Sequence, residues 1–599
     1  MADGDAAFSR PAATRLLRRL ALIAGAFVAL TAFAQEPSVL TVPRNDEFET
    51  MDPPGAFDEK SEQVQRQVYG TLLTYAYLER PYKLVPDLAA AMPTLSADKL
   101  TYTFHLRKGV RFHDNPCFAG GKGREMTADD VVYSLKRYAD ANINRHSWFA
   151  MAGAVVGLDA YHAATLKSGP TADLTATDVP GLHRIDASTF SITLTRPNPL
   201  FLFSLALTST AIVPVEAVRL YKDRFGVNPV GTGPFMIKGP VDRKATLHFV
   251  RNPNYYGVYP GVGAPGDAEA GLLKNAGKKL PLVDVLDMPL VQEPQTAALK
   301  FLKGELDLRP LDRANFIRMV ARGPGGTFHL TDEFAGKFAL YGAAALDTYY
   351  MRLNMKDALI GRNPALRRAL ASAVDAQAII DVLNNGRGRR LESLVPYDLP
   401  GNERETGAAG IPHDVAAARR LLADAGYPGG KGLPPISISF VGADSATHNL
   451  ADLLRAQFAS IGVQVKPEFM DLPAHTKAME GGNFQISYNF WYADYPDPED
   501  FYQLFYSRNT APGPNIGAYA NPAYDKAYEA MRLMPDGPER IAHMKAMNAL
   551  LKQDVPVIVL YDSLRFGLVQ KWVGGFKRNV FLQEHMFMSV DMAAKKKGP

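Results

Sequence analysis

FWYADYPDPEDFYQLF, residues 490–505, sets seven aromatic rings among four carboxylates, Asp494, Asp497, Glu499 and Asp500. Pro496 and Pro498 forbid a regular helix through its middle. The preceding residues, NFQISYNFWY (483–492), alternate polar and apolar and then turn wholly aromatic. That is the pattern of a strand running into a cleft. A glycosidase-type carboxylate pair needs two acids facing each other across a cleft, and these crowd into one turn. A calcium loop needs oxygen donors at alternate positions and a glycine at its sharp bend, and no such glycine is present. Two readings of the residues remain open. Asp494, walled by Trp491, Tyr492 and Tyr495, attracts an ammonium through its charge and the ring quadrupoles, or it caps a turn at the edge of an aromatic core.

The rest of the chain narrows the function class. Charge is nearly balanced, +4 over 599 residues, and no basic stripe marks a nucleic-acid surface. Arg10, Arg15, Arg18 and Arg19 precede the apolar run LALIAGAFVALTAFA (20–34), which ends in Ala-Phe-Ala. This predicts a cleavable export signal over residues 1–34 and a periplasmic protein. Cys117 is the sole cysteine, so no intramolecular disulfide forms and no lipid is attached after the signal. The remaining length calls for two or three domains.

Several signatures of catalysis fail. Gly261-x-Gly263-x-x-Gly266 has the spacing of a dinucleotide loop, but Pro260 and Pro265 interrupt it and no strand leads into a helix. No phosphate loop, nucleophile elbow, HExxH or Cys/His cluster occurs. No metal, cofactor or enzymatic activity is expected.

Local patterns predict an α/β protein. TYTFHLRKGVRFH (101–113) reads as a strand pair turning at Lys108-Gly109. MTADDVVYSLKRYAD (126–140) reads as a helix with Thr127 and Asp130 in a capping box. Glycine-rich residues 257–281 read as an exposed loop. NPALRRALASAVDAQAIIDVL (363–383) reads as one helix, and residues 436–470 read as a β-α-β unit with parallel strands. The helix PERIAHMKAMNALLKQ (538–553) precedes the apolar strand VPVIVLY (555–561).

WYADYPDP resembles the W-x-A-D-Y-x-(D/E)-P motif of the extracytoplasmic solute-binding proteins that serve oligopeptide and dipeptide ABC transporters, family 5. RNDEFETMDP (44–53), the 101–140 blocks, NPVGTGPFMIK (228–238), LKGELDL (302–308) and VPVIVLYDSLRFGLVQKWVGGF (555–576) resemble further family blocks in the same order. The resemblance implies a type II periplasmic-binding-protein-like α/β fold, two lobes joined by hinge strands plus an extra domain. Transferred to this chain, domain I would be 35–78, 181–290 and 560–599, domain II 79–180 and domain III 291–559. It also implies a monomer that captures a short peptide and delivers it to a membrane ABC permease. Asp494 would hold the peptide's α-ammonium, with Trp491 lining the same pocket. Tyr488, Asn489, Phe490 and Tyr492 would line the cleft from the motif strand, and Phe57, Glu59, Trp148 and Tyr561 from elsewhere. The chain departs from the family where Phe490 replaces a usual glycine, and from an oligopeptide-binding relative where Tyr488 stands in place of an arginine and Phe57 in place of a carboxylate. These departures leave a non-peptide solute (metal chelate, haem, sugar or opine) as the alternative ligand.

Overall fold

The computed structural model describes Met1 and residues 36–56, 58–144, 147–168, 178–511, 513–582 and 584–599. Phe57 and the expected export signal lie outside the described residues. Residues 39–599 form one compact unit built on three larger sheets.

In the first lobe, Val39–Thr41 runs parallel to Val285–Met288, which pairs with Leu247–Arg251 and then Phe235–Ile237. A second sheet orders Thr94–Leu95, Thr101–His105, Thr189–Thr193 and Leu182–Arg184. The second lobe carries the widest sheet. Its path is Leu308–Pro310, Val557–Gln570, Asp347–Leu353, Ile486–Tyr492, Ile436–Val441 and Val465–Met470. The parallel pairing of Ile436–Val441 with Val465–Met470 is the expected β-α-β unit.

The predicted capping box is present. The Thr127 side chain accepts from the third helical N–H, and Asp130 returns a bond to the Thr127 N–H at 2.8 Å. Both partners are local in sequence, so the motif is readable without tertiary knowledge.

Other expectations change where distant groups intervene. The strand Thr101–His105 pairs with Thr189–Thr193, not with its neighbour across Gly109 (φ 75°). Beyond that turn only a single bridge forms, Arg111 to Glu125. Residues 182–193, expected in the discontinuous lobe, therefore share a ladder with 94–105. The boundary expected at 560 falls inside the 14-residue strand Val557–Gln570.

The helix expected over 363–383 breaks after Ala373. The Asp375 carboxylate accepts the Ala378 N–H at 3.0 Å, and Gln457 accepts the Asp375 N–H at 3.1 Å. Those bonds draw the backbone off its helical path and start a new turn. The glycine-rich 257–281 stretch is not a free loop, because Tyr259 is buried and Asp267 pairs with Lys577 at 2.7 Å.

Where the lobes join, buried Asp307 gathers three distant segments. It accepts the Thr41 N–H at 2.7 Å and the Trp572 indole N–H at 2.6 Å, and it pairs with Lys595 at 2.5 Å.

Candidate functional site

The strand Ile486–Tyr492 lies inside the second-lobe sheet, antiparallel to Asp347–Leu353 and parallel to Ile436–Val441. Side chains alternate along it, so Tyr488, Phe490 and Tyr492 share one face and Asn489 and Trp491 the other.

The first face is an aromatic platform. Tyr349 lies opposite Phe490 in register and stacks on Tyr561 with centroids 4.7 Å apart and planes at 10°. The Tyr488 and Tyr561 hydroxyls are hydrogen-bonded at 2.9 Å. Phe490 lies 5.4 Å from Tyr349 and 5.1 Å from Tyr492, and it is 49 % exposed, unusual for so large an apolar ring. The Arg565 guanidinium sits 5.0 Å above Tyr492. Arg565, which sequence reasoning missed, comes from the strand Val557–Gln570, whose pairing brings it to the end of the motif strand.

On the opposite face Asn489 donates to Ser487 Oγ at 2.6 Å, so its amide is turned away from the platform. The Trp491 indole donates to Asp500 Oδ2 at 3.1 Å.

The four acids of the turn have separate fates. Asp500, fully buried, also accepts the Asp494 backbone N–H at 2.8 Å and the Gln503 amide at 2.9 Å. Burial, and next the charge of Asp494, push its carboxyl well above the usual range. Asp497 is held by Arg540 through two bonds of 2.9 and 2.6 Å. Glu499 accepts from the hydroxyls of Tyr495 and Tyr528. These three carboxylates are consumed in building the turn. Asp494 is different: among the described residues no hydrogen bond or ion pair reaches its carboxylate.

What faces Asp494 makes its charge harder to keep. Burial, and then the carboxylate of Glu62, push its carboxyl up to about 7. Glu62 is on the first-lobe helix Glu59–Val68, 3.4 Å from Arg66. Two acids therefore approach each other across the lobes with one nearby counter-ion, Arg66, already paired to Glu62. A cation beside Asp494 would relieve the repulsion and restore its charge. Tyr495 closes the same contact by stacking on Phe203 with centroids 5.4 Å apart.

The other expected residues stand apart. Glu59 opens the helix that carries Glu62, but its side chain is 76 % exposed and 4.0 Å from Arg578. The residue facing Asp494 is one turn further on, a spacing of three that puts Glu59 and Glu62 on neighbouring parts of one helix surface. Trp148 stacks on His162 at 4.2 Å and 4°, engaged within its own domain. Among the described residues no group of three or more His, Cys, Asp or Glu gathers to hold a metal.

This arrangement provides an unpaired carboxylate, an aromatic platform topped by the exposed Phe490 and a cation over the platform's edge, while the Ser487 hydroxyl that meets His475 at 3.1 Å is fully buried on the opposite face. It suits binding rather than bond breaking. Comparison with known proteins agrees. The chain is 25 % identical over 535 residues to heme-binding protein A of Haemophilus influenzae, covering 88 % of this chain and 87 % of that protein. It is 24 % identical over 521 residues to the dipeptide-binding protein of Escherichia coli, covering 85 % and 86 %. Among solved structures, HbpA2 from Haemophilus parasuis superposes with a TM-score of 0.72 at 22 % identity, covering 92 % of this chain and 100 % of that one. The two-lobed α/β architecture is thus the periplasmic-binding-protein fold. The model of the bacterial extracellular solute-binding proteins, family 5 (middle region), matches residues 83–513, and the chain belongs to that family.

Proposed function

We propose that this protein is an exported, monomeric receptor that captures short peptides by their free α-ammonium group and hands them to an ABC importer in the membrane. One observation carries the reading: the Asp494 carboxylate meets an acid across the cleft and has no cationic partner among the described residues. An α-ammonium supplies that partner, and backbone hydrogen bonds along the motif strand would hold the rest of an extended peptide. A planar anionic solute such as a haem would suit the aromatic platform and Arg565. It would leave Asp494 unneutralised, and for that reason the peptide reading is preferred. The leader expected over residues 1–34, with no cysteine directly at its end, supports export without a lipid anchor.

Native mass spectrometry of the protein purified from its own periplasm, followed by denaturation and identification of what is released, tests this. A set of short peptides with free amines is expected. A single non-peptide mass would overturn peptide capture.

Affinity should also depend on pH. The empty site holds its proton up to about pH 7, so an ammonium must displace it below that value. Binding of a free-amine peptide is expected to be strongest above pH 7 and to weaken as pH falls through 7, approaching tenfold per pH unit. Below pH 7 binding should release a proton, visible as a buffer-dependent enthalpy in titration calorimetry. A flat affinity profile between pH 5 and 8 would remove Asp494 from the site.

A further inference from the structure

The second lobe holds a cavity of about 350 Å³ that none of the motif residues line. Its size falls at the lower end of small-molecule sites, roughly 300–1,000 Å³. One wall is the helix Pro538–Asp554, which presents Lys545, Asn548, Ala549 and Lys552 at helical spacing on one face. The facing wall is Val557–Leu560, the first part of the long strand. The third side is formed around Ser393 and the small-residue loop Gly407-Ala408-Ala409-Gly410. Ala371, Val374 and Ala376 flank the break in the helix described above and close the end.

The physical reason for the space is visible in these residues. A loop of glycine and alanine and a helix that stops at Val374 do not fill the volume between a helix and a sheet. The interior is mainly aliphatic. Ser393, only 4 % exposed, lines it, and the Ser393 hydroxyl has no hydrogen-bond partner among the described residues.

The charges at the mouth are unbalanced. Arg390 is neutralised by Glu392 at 3.1 Å, and Glu392 also accepts the Gly410 N–H at 2.7 Å. Lys545 and Lys552 are exposed and make no ion pair or hydrogen bond among the described residues. An aliphatic interior beneath two free ammonium groups is complementary to an anionic head on an apolar tail. We infer that this cavity is a second ligand site, separate from the Asp494 cleft, which takes an amphipathic monocarboxylate with its tail among Leu391, Leu394, Val557 and Leu560 and its carboxylate at Lys545 and Lys552.

The test is titration calorimetry of the full chain with sodium octanoate, with 1-octanol as the uncharged comparison. Saturable one-to-one octanoate binding is expected, at least tenfold tighter than octanol. The Lys545→Gln/Lys552→Gln double variant is expected to lose at least tenfold. Ala549→Phe, which fills the cavity from the helix side, is expected to abolish binding, and its far-ultraviolet dichroism shows whether the helix is intact. Asp494→Asn is expected to bind octanoate unchanged. Absence of octanoate binding to the unmodified chain overturns the site. Octanol binding as tightly as octanoate, or both lysine and Ala549 variants binding like the parent, overturns it equally.

Discussion

Asp494→Asn is expected to weaken capture of a free-amine peptide by about 2–5 kcal/mol, the usual cost of removing one partner of a desolvated charge pair. The substitution keeps the shape and removes the charge. In the complex the peptide's ammonium would then lie near Glu62, which is already committed to Arg66, with no carboxylate of its own. Titration calorimetry with a di- or tripeptide measures the loss directly. The same peptide acetylated at its N-terminus serves as the control, because it carries no ammonium and should bind parent and variant with equal weakness.

Stability moves the other way. The folded-state carboxyl titrates near 7, above its unfolded value, so ionised Asp494 opposes folding once pH rises past the unfolded pKa. At pH 8 the Asn variant is therefore expected to melt no lower than the parent. An unchanged peptide affinity in Asp494→Asn would end the ammonium assignment.

Arg540→Met is expected to destabilise the second lobe by about 3–5 kcal/mol, the range for breaking a buried ion pair by removing one member. Arg540 is 3 % exposed and holds Asp497 through two bonds, with Asp536 at 2.6 Å on the same guanidinium. Without Arg540, Asp497 stays in the protein interior with only the Glu499 N–H at 2.8 Å as a described donor. Urea unfolding monitored by tryptophan fluorescence reads the effect, since the Trp491 indole is hydrogen-bonded to Asp500 of the same turn. The Asp497→Asn/Arg540→Met double variant removes the stranded charge and is expected to recover part of the loss. A shift below about 1 kcal/mol in the single variant would mean that the pair does not anchor the turn.

Together these outcomes separate two roles within eight residues. Asp497 would act on stability through Arg540, whereas Asp494 would act on the ligand. Both are aspartates in one acidic, aromatic stretch; the rings and motif around Asp494 single it out, whereas the partner that holds Asp497 lies 43 positions away.

Features governed by near neighbours were legible in the chain. The Thr127–Asp130 capping box needs residues three apart, and the β-α-β unit over 436–470 follows from apolar spacing within a few turns. The order of family blocks pointed to the two-lobed fold, and the alternation through residue 492 placed the motif on a strand. The break at Asp375 was not legible, because Gln457, 82 residues away, accepts its backbone N–H. Nor was the partner of Thr101–His105, since ladder pairing is a choice among strands that the periodicity of one strand does not name.

The amino-acid order was enough to specify the residue types of the site: carboxylates beside rings at the end of a strand. Which carboxylate stays free was settled by folding. Arg540 reaches Asp497 from 43 positions away and Tyr528 reaches Glu499 from 29, and both satisfy their acids. Glu62 comes from the other lobe to repel Asp494. A carboxylate's protonation and its need for a partner depend on desolvation and on charges within a few ångströms, and those neighbours exist only once distant segments have packed.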